Sequence, residues 1–138
     1  MEFHTAEQFV ARMRAAGIRS VALVGNIDLV ILGPCSENSW HFFQGDPITE
    51  QAPFGRYWGT VFQDEVKRRE AKKVLLISGC CGSYEPKHQA VIRRSVPGVE
   101  VLIPDVPDFC DFLFSPNPGD QVVRLMRRLV TDGIAMEE

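Results

Sequence analysis

Residues 73–84, KVLLISGCCGSY, constrain the fold more than any other stretch of the chain. Val74 to Ile77 are apolar without interruption, and the run stops at Ser78-Gly79, ahead of two adjacent cysteines, Gly82-Ser83 and a segment of helical character. A strand wet on one face alternates polar and apolar residues. An unbroken run that ends in glycine and feeds a helix reads instead as a central strand buried on both faces. In open α/β sheets, ligands collect beyond the C-terminal ends of such strands. The expected fold is therefore α/β: a single three-layer, Rossmann-like domain over 1–138, with a mixed, mainly parallel sheet flanked by helices. A chain of 138 residues is long enough to bury that core without disulfide or metal staples.

The flanking segments fit this frame. Thr5 followed by Gln8 is a capping-box pattern, and Ala6, Phe9, Val10, Met13 and Ala16 share one helical face, so a helix is expected over 5–16 with Gly17 as its stop. Two β-prone runs, 20–24 and 27–32, are joined by Gly25-Asn26; this spacing predicts a hairpin, the alternative being a kinked strand pair. Residues 54–71 carry Phe54, Trp58, Val61, Phe62 and Val66 at helical spacing. On the opposite side, Asp64–Arg68 and Glu65–Arg69 form acid-before-base pairs that read as a solvated face. A helix over 85–95 with Ser83 as a possible cap, a strand over 99–103 and a short edge strand at 112–114 follow. Asn117-Pro118-Gly119-Asp120 then starts a last helix, whose Val122, Leu125, Met126 and Leu129 face inward until Gly133. Residues 135–138, like the first residues with His4, are expected to fray.

Charge and cysteine usage narrow the function classes. The net charge of −3 offers no overall basic field, so nucleic acid is an unfavoured partner, and no apolar run approaches a membrane span. The opening MEFHTAEQF has no charged-then-apolar leader. Residence in a reducing cytoplasm is the expectation, with the four cysteines as thiols.

Those thiols, Cys35, Cys80, Cys81 and Cys110, all follow expected strands. If the strand ending at Leu32 lies parallel to the next two, three strand ends converge on one edge, carrying Cys35, Asn38, Trp40 and His41, then Gly79, Cys81, Gly82 and Ser83, then Asp105 and Asp108. A pocket there would bind a small polar or anionic ligand, with nucleotide-like molecules in that class. Cys81, just ahead of a helix, is the candidate nucleophile, because free N–H groups and the helix dipole stabilise a thiolate. His41 or Asp108 would move protons, and Trp40 or Phe42 would cover the pocket. Cys35, Asn38, Gly79, Gly82, Ser83 and Asp105 are the candidate ligand contacts, with backbone N–H groups of 79–83 able to face an anion. The chemistry would be of hydrolase or transferase type. Neither standard phosphate-loop motif is present, and the motifs leave the cofactor open.

Three resemblances widen the choice. Cys81 to Lys87 has the length of a phosphatase or sulfurtransferase anion loop and resembles one, although that pattern has an arginine where Lys87 stands and no acid at the place of Glu85. The Gly79-Cys80-Cys81 turn and the proline-rich turn at Cys110 are similar to the small subunits of nickel–iron hydrogenases and quinone oxidoreductases, which implies an iron–sulfur or metal-binding protein; their first cysteine pair and Gly-Cys-Pro-Pro motif are absent. Ile31-Leu32-Gly33, Trp40–Phe43, Phe54–Trp58 and 115–119 (Ser-Pro-Asn-Pro-Gly) come in an order similar to mismatch-type uracil-DNA glycosylases, with Gly-Pro-Cys where that family has a Gly-x-Asn-Pro-like turn. A non-catalytic alternative is an interaction or homo-oligomer subunit, with the aromatic stretch 40–62 as its interface.

Overall fold

The computed structural model describes residues 2–33, 55–78, 84–105 and 120–137. In chain order the elements are β1 (Glu2–His4), α1 (Ala6–Ala15), β2 (Val21–Leu23), β3 (Leu29–Leu32), α2 (Gly55–Arg68), β4 (Lys73–Ile77), α3 (Pro86–Ser95), β5 (Glu100–Leu102), α4 (Asp120–Thr131) and β6 (Ala135–Glu137). A four-stranded mixed sheet runs β1-β3-β4-β5, and β2 pairs with β6 in a second, two-stranded sheet. β3, β4 and β5 are mutually parallel, whereas β1 lies antiparallel on β3.

The apolar run of β4 is explained by what its two faces meet. Val74, Leu75, Leu76 and Ile77 are all at most 1% exposed. Leu75 and Ile77, with Val30 and Leu32 of β3, join a cluster containing Phe9 and Met13 of α1 and Leu125, Met126 and Leu129 of α4. Val74 and Leu76, with Leu29 and Ile31, join a second cluster containing Phe62 and Val66 of α2 and Ile92 of α3. Strand residues alternate between faces, so only an uninterrupted apolar sequence can supply both clusters. Each such side chain contributes about 1.5–3 kcal/mol of transfer free energy.

The local signals for α1 work as expected. Thr5 Oγ1 accepts from the Gln8 N–H at 3.1 Å, and Gln8 Oε1 accepts from the Thr5 N–H at 2.9 Å. Gly17, at φ +108°, takes the left-handed conformation that ends the helix. On α2, Glu65 binds both Arg69 and Arg68 at 2.8 Å, so Arg68 turns to Glu65 and not to Asp64. Phe54, Trp58, Val122 and the proposed strand at 112–114 lie outside the described residues or side chains.

Three expectations are corrected. The 20–24/27–32 hairpin does not form: both edges of β3 are taken, by β1 and β4, and β2 pairs with β6 instead. Gly25 and Asn26 do adopt positive φ, +81° and +58°, but they carry the chain from the small sheet into the large one. Neither terminal segment frays, since Glu2–His4 and Ala135–Glu137 are both paired strands. His4 is accordingly buried, and so is His88 of α3. No described helix is long and apolar enough to cross a membrane.

Candidate functional site

Because β3, β4 and β5 are parallel and in register, with Leu32 opposite Ile77 and Leu75 opposite Leu102, their C-terminal ends share one edge of the sheet. The Gly33 N–H donates to the Ile77 carbonyl at 2.8 Å, which keeps the chain in register one residue past β3. Beyond β4, Ser78 continues the alternation of Val74 and Leu76 and is 4% exposed. Tyr84, 2% exposed, belongs to the same cluster as Leu76. It packs directly on Gly33: a Cβ added to Gly33 would collide with the Tyr84 hydroxyl and lie 3.1 Å from Leu76 Cδ1. Glycine is therefore required here by close approach, not by an unusual φ.

A hydrogen-bonded chain holds the start of α3 against this edge. The Tyr84 carbonyl accepts from Gln89 Nε2 at 2.8 Å, Gln89 Oε1 accepts from Arg93 Nη1 at 3.3 Å, and Arg93 Nε donates to the Val101 carbonyl of β5 at 3.3 Å. His88, within the first turn, is 5% exposed. Burial holds its pKa below 6.5, with Glu85 opposing and Lys87 reinforcing the shift. The imidazole is thus neutral at neutral pH, the form that can accept a proton. Glu85 and Lys87 face each other in solvent at 3.5 Å. After β5 come buried Pro104 and exposed Asp105.

Of the residues singled out from sequence, Asp105 lies at this edge. Cys35, Asn38, Trp40, His41, Gly79, Cys81, Gly82, Ser83 and Asp108 lie outside the described residues, as do Cys80 and Cys110. In chain order they belong to segments 34–54, 79–83 and 106–119, which directly continue the described chain after β3, after β4 and after β5. Gly33, Ser78, Tyr84 and His88 were missed. For His88 a signal existed: Tyr84, His88, Ile92 and Val96 fall four residues apart and are all buried, so the histidine sits on the apolar row of its helix.

The opposite, N-terminal edge is built for holding together. Asp28 Oδ2 accepts from the Lys72 and Lys73 N–H groups at 2.7 and 3.0 Å, while the Asp28 N–H donates to the Lys73 carbonyl at 2.9 Å. Nearby, the ends of α2 and α3 frame a cleft of about 460 Å³ whose lining includes Val66, Val96 and Val99 with Lys67 and Lys72. At β1, buried His4 has its Nε2 3.5 Å from Glu2 Oε1, which in turn accepts from Arg12 at 3.0 Å. Burial lowers the His4 pKa, Glu2 opposes, and Arg12 and Arg69 add to the lowering. Among the described residues, no group of three His, Cys, Asp or Glu side chains is arranged to hold a metal ion.

Set against protein-family models, curated proteins and solved structures, the chain finds no match.

Proposed function

We propose that this is a small enzyme, or enzyme-like module, of the three-layer Rossmann-like kind, which binds a small polar or anionic, nucleotide-like ligand at the C-terminal edge of its parallel strands. The observation that supports the reading is the parallel register of β3, β4 and β5. It makes one edge the point from which all three segments carrying the thiols, His41 and Asp108 continue. Ligands of open α/β sheets bind at such edges.

In this reading Cys81 attacks an electrophilic centre of the ligand as a thiolate. Its proton goes to His41 or Asp108, the leaving group departs with a proton from that residue, and water (hydrolase type) or an acceptor nucleophile (transferase type) then displaces the Cys81 sulfur and restores the thiolate. Trp40 covers the bound ligand, and Cys35, Asn38, Asp105 and the 79–83 backbone orient it. The reaction needs reduced thiols and hence a reducing compartment such as the cytoplasm.

Alkylation by iodoacetamide across pH tests the nucleophile. The expected result is one fast-reacting thiol, lost in Cys81→Ser, whose rate titrates well below the ordinary thiol value of about 8.5. Four thiols that all titrate at that ordinary value would remove Cys81 from the role.

A further inference from the structure

Helix α1 turns Phe9 and Met13 into the core and leaves a second face outward. On that face Glu7, Val10, Ala11 and Arg14 line a shallow groove of about 360 Å³, with Ala22 and Leu23 of β2 on its far side. Glu7, Ala11 and Arg14 are exposed and Val10 is half-buried. Ion pairs elsewhere among the described residues join Glu2 with Arg12, Glu65 with Arg68 and Arg69, and Arg128 with Asp132. Among the described residues Glu7 meets no cation and Arg14 no carboxylate, a condition shared with other surface charges such as Lys67, Glu70 and Arg94, so both are open to a partner's charge. Arg14 donates only to the Val21 carbonyl, at 3.2 Å.

The arrangement is self-complementary. Glu7 and Arg14 lie equally far on either side of the midpoint between Val10 and Ala11. A twofold axis through that midpoint lays two copies of α1 antiparallel, with Glu7 of each opposite Arg14 of the other and the small Ala11 side chains allowing close approach. The acid sits in the first turn and the base in the last, so the antiparallel pair also matches opposite helix-dipole ends.

We infer that the groove between α1 and β2 is the seat of a second copy of this chain, held in a twofold dimer through reciprocal Glu7–Arg14 pairs across a Val10–Ala11 seam. Two short helices bury less than the roughly 1,200 Å² of a tight interface, so dissociation on the order of tens of micromolar is expected.

Charge reversal with sedimentation velocity tests this. Glu7→Arg and Arg14→Glu should each raise the dimer dissociation constant at least about tenfold, since two attractions become two repulsions. Mixed one to one, the two variants should associate about as tightly as the wild type, because Arg at 7 of one then faces Glu at 14 of the other. That rescue also shows both variants folded. If Arg14→Glu does not fold, Ala11→Glu serves instead: it places like charges across the axis and should abolish the dimer. A wild type monomeric up to about 1 mM would overturn the inference and leave the groove to some other occupant, such as an extended peptide. So would a dimer indifferent to the reversals, or a mixture no tighter than either variant alone.

Discussion

Gly33 and Tyr84 together set the shape of the C-terminal strand edge. A side chain at 33 has no room while the Tyr84 hydroxyl is present, so Gly33→Ala is expected to cost about 1–3 kcal/mol in urea unfolding. The cost should shrink in a Tyr84→Phe background, where the colliding oxygen is gone; equal costs in both backgrounds would mean that the collision is not the cause. At the other edge, Asp28→Ala leaves the Lys72 and Lys73 N–H groups without their shared acceptor. A loss of about 1–2 kcal/mol is expected, because both bonds are charge-assisted but exposed. Buried His88 and His4 set the pH dependence. Their folded pKa values lie below 6.5, so the unfolded chain protonates first. Neither histidine penalises folding above that value, and stability falls as pH drops from 6.5 toward the lower folded values. Urea midpoints between about pH 7.5 and pH 5 should therefore decline, and His88→Gln with His4→Gln should flatten the decline. An unchanged slope in the double variant would assign it elsewhere. Glu65 acts at lower pH: hydrogen bonds from Arg68 and then Arg69 hold it at about 2, so its contribution is present above 4.5 and lost as pH falls through about 2.

Elements differ in how much of their reason lies in their own sequence. β4 declares itself, because burial on both faces demands an unbroken apolar run. α1 does too, because the Thr5–Gln8 capping box is local. Leu125, Met126 and Leu129 of α4 are buried as their spacing requires. Leu125→Ala is expected to cost about 2–5 kcal/mol, read as a lower thermal midpoint. β1 and β6 were illegible for the converse reason, and β2, expected as a β-prone run, was given the wrong partner. Each is three residues long, too short for a period-two pattern, and each exists through a distant partner: β1 on β3, β2 on β6. Gly25-Asn26 has the backbone of a hairpin turn, yet strand pairing is decided by which edges are open, and β3 had none. The edge of the candidate site was legible from the β4 run and its glycine stop. Its described residues were mostly not, because Tyr84 and His88 look like ordinary members of a helix entrance until their row is seen to be buried. Asp105 alone among the named candidates is described at that edge.

At the scale of the molecule, the two ends of the parallel strands do different work. The N-terminal end is tied by Asp28 and by the Glu100 N–H donating to the Lys72 carbonyl at 2.9 Å. The C-terminal end gathers Gly33, Ser78, Tyr84, His88 and Asp105, and from it continue the segments that carry all four cysteines. The proposed ligand site lies at this second end. Amide chemical-shift mapping of the full chain, titrated with a nucleoside monophosphate and separately with inorganic phosphate, tests it most directly. Ligand binding at that end requires saturable shifts concentrated at Gly33, Ser78, Tyr84, His88 and Asp105, with Asp28, Lys72 and Lys73 unmoved. Shifts confined to the cleft around Lys67, Lys72 and Val96, or no saturable shift with either probe, would contradict it.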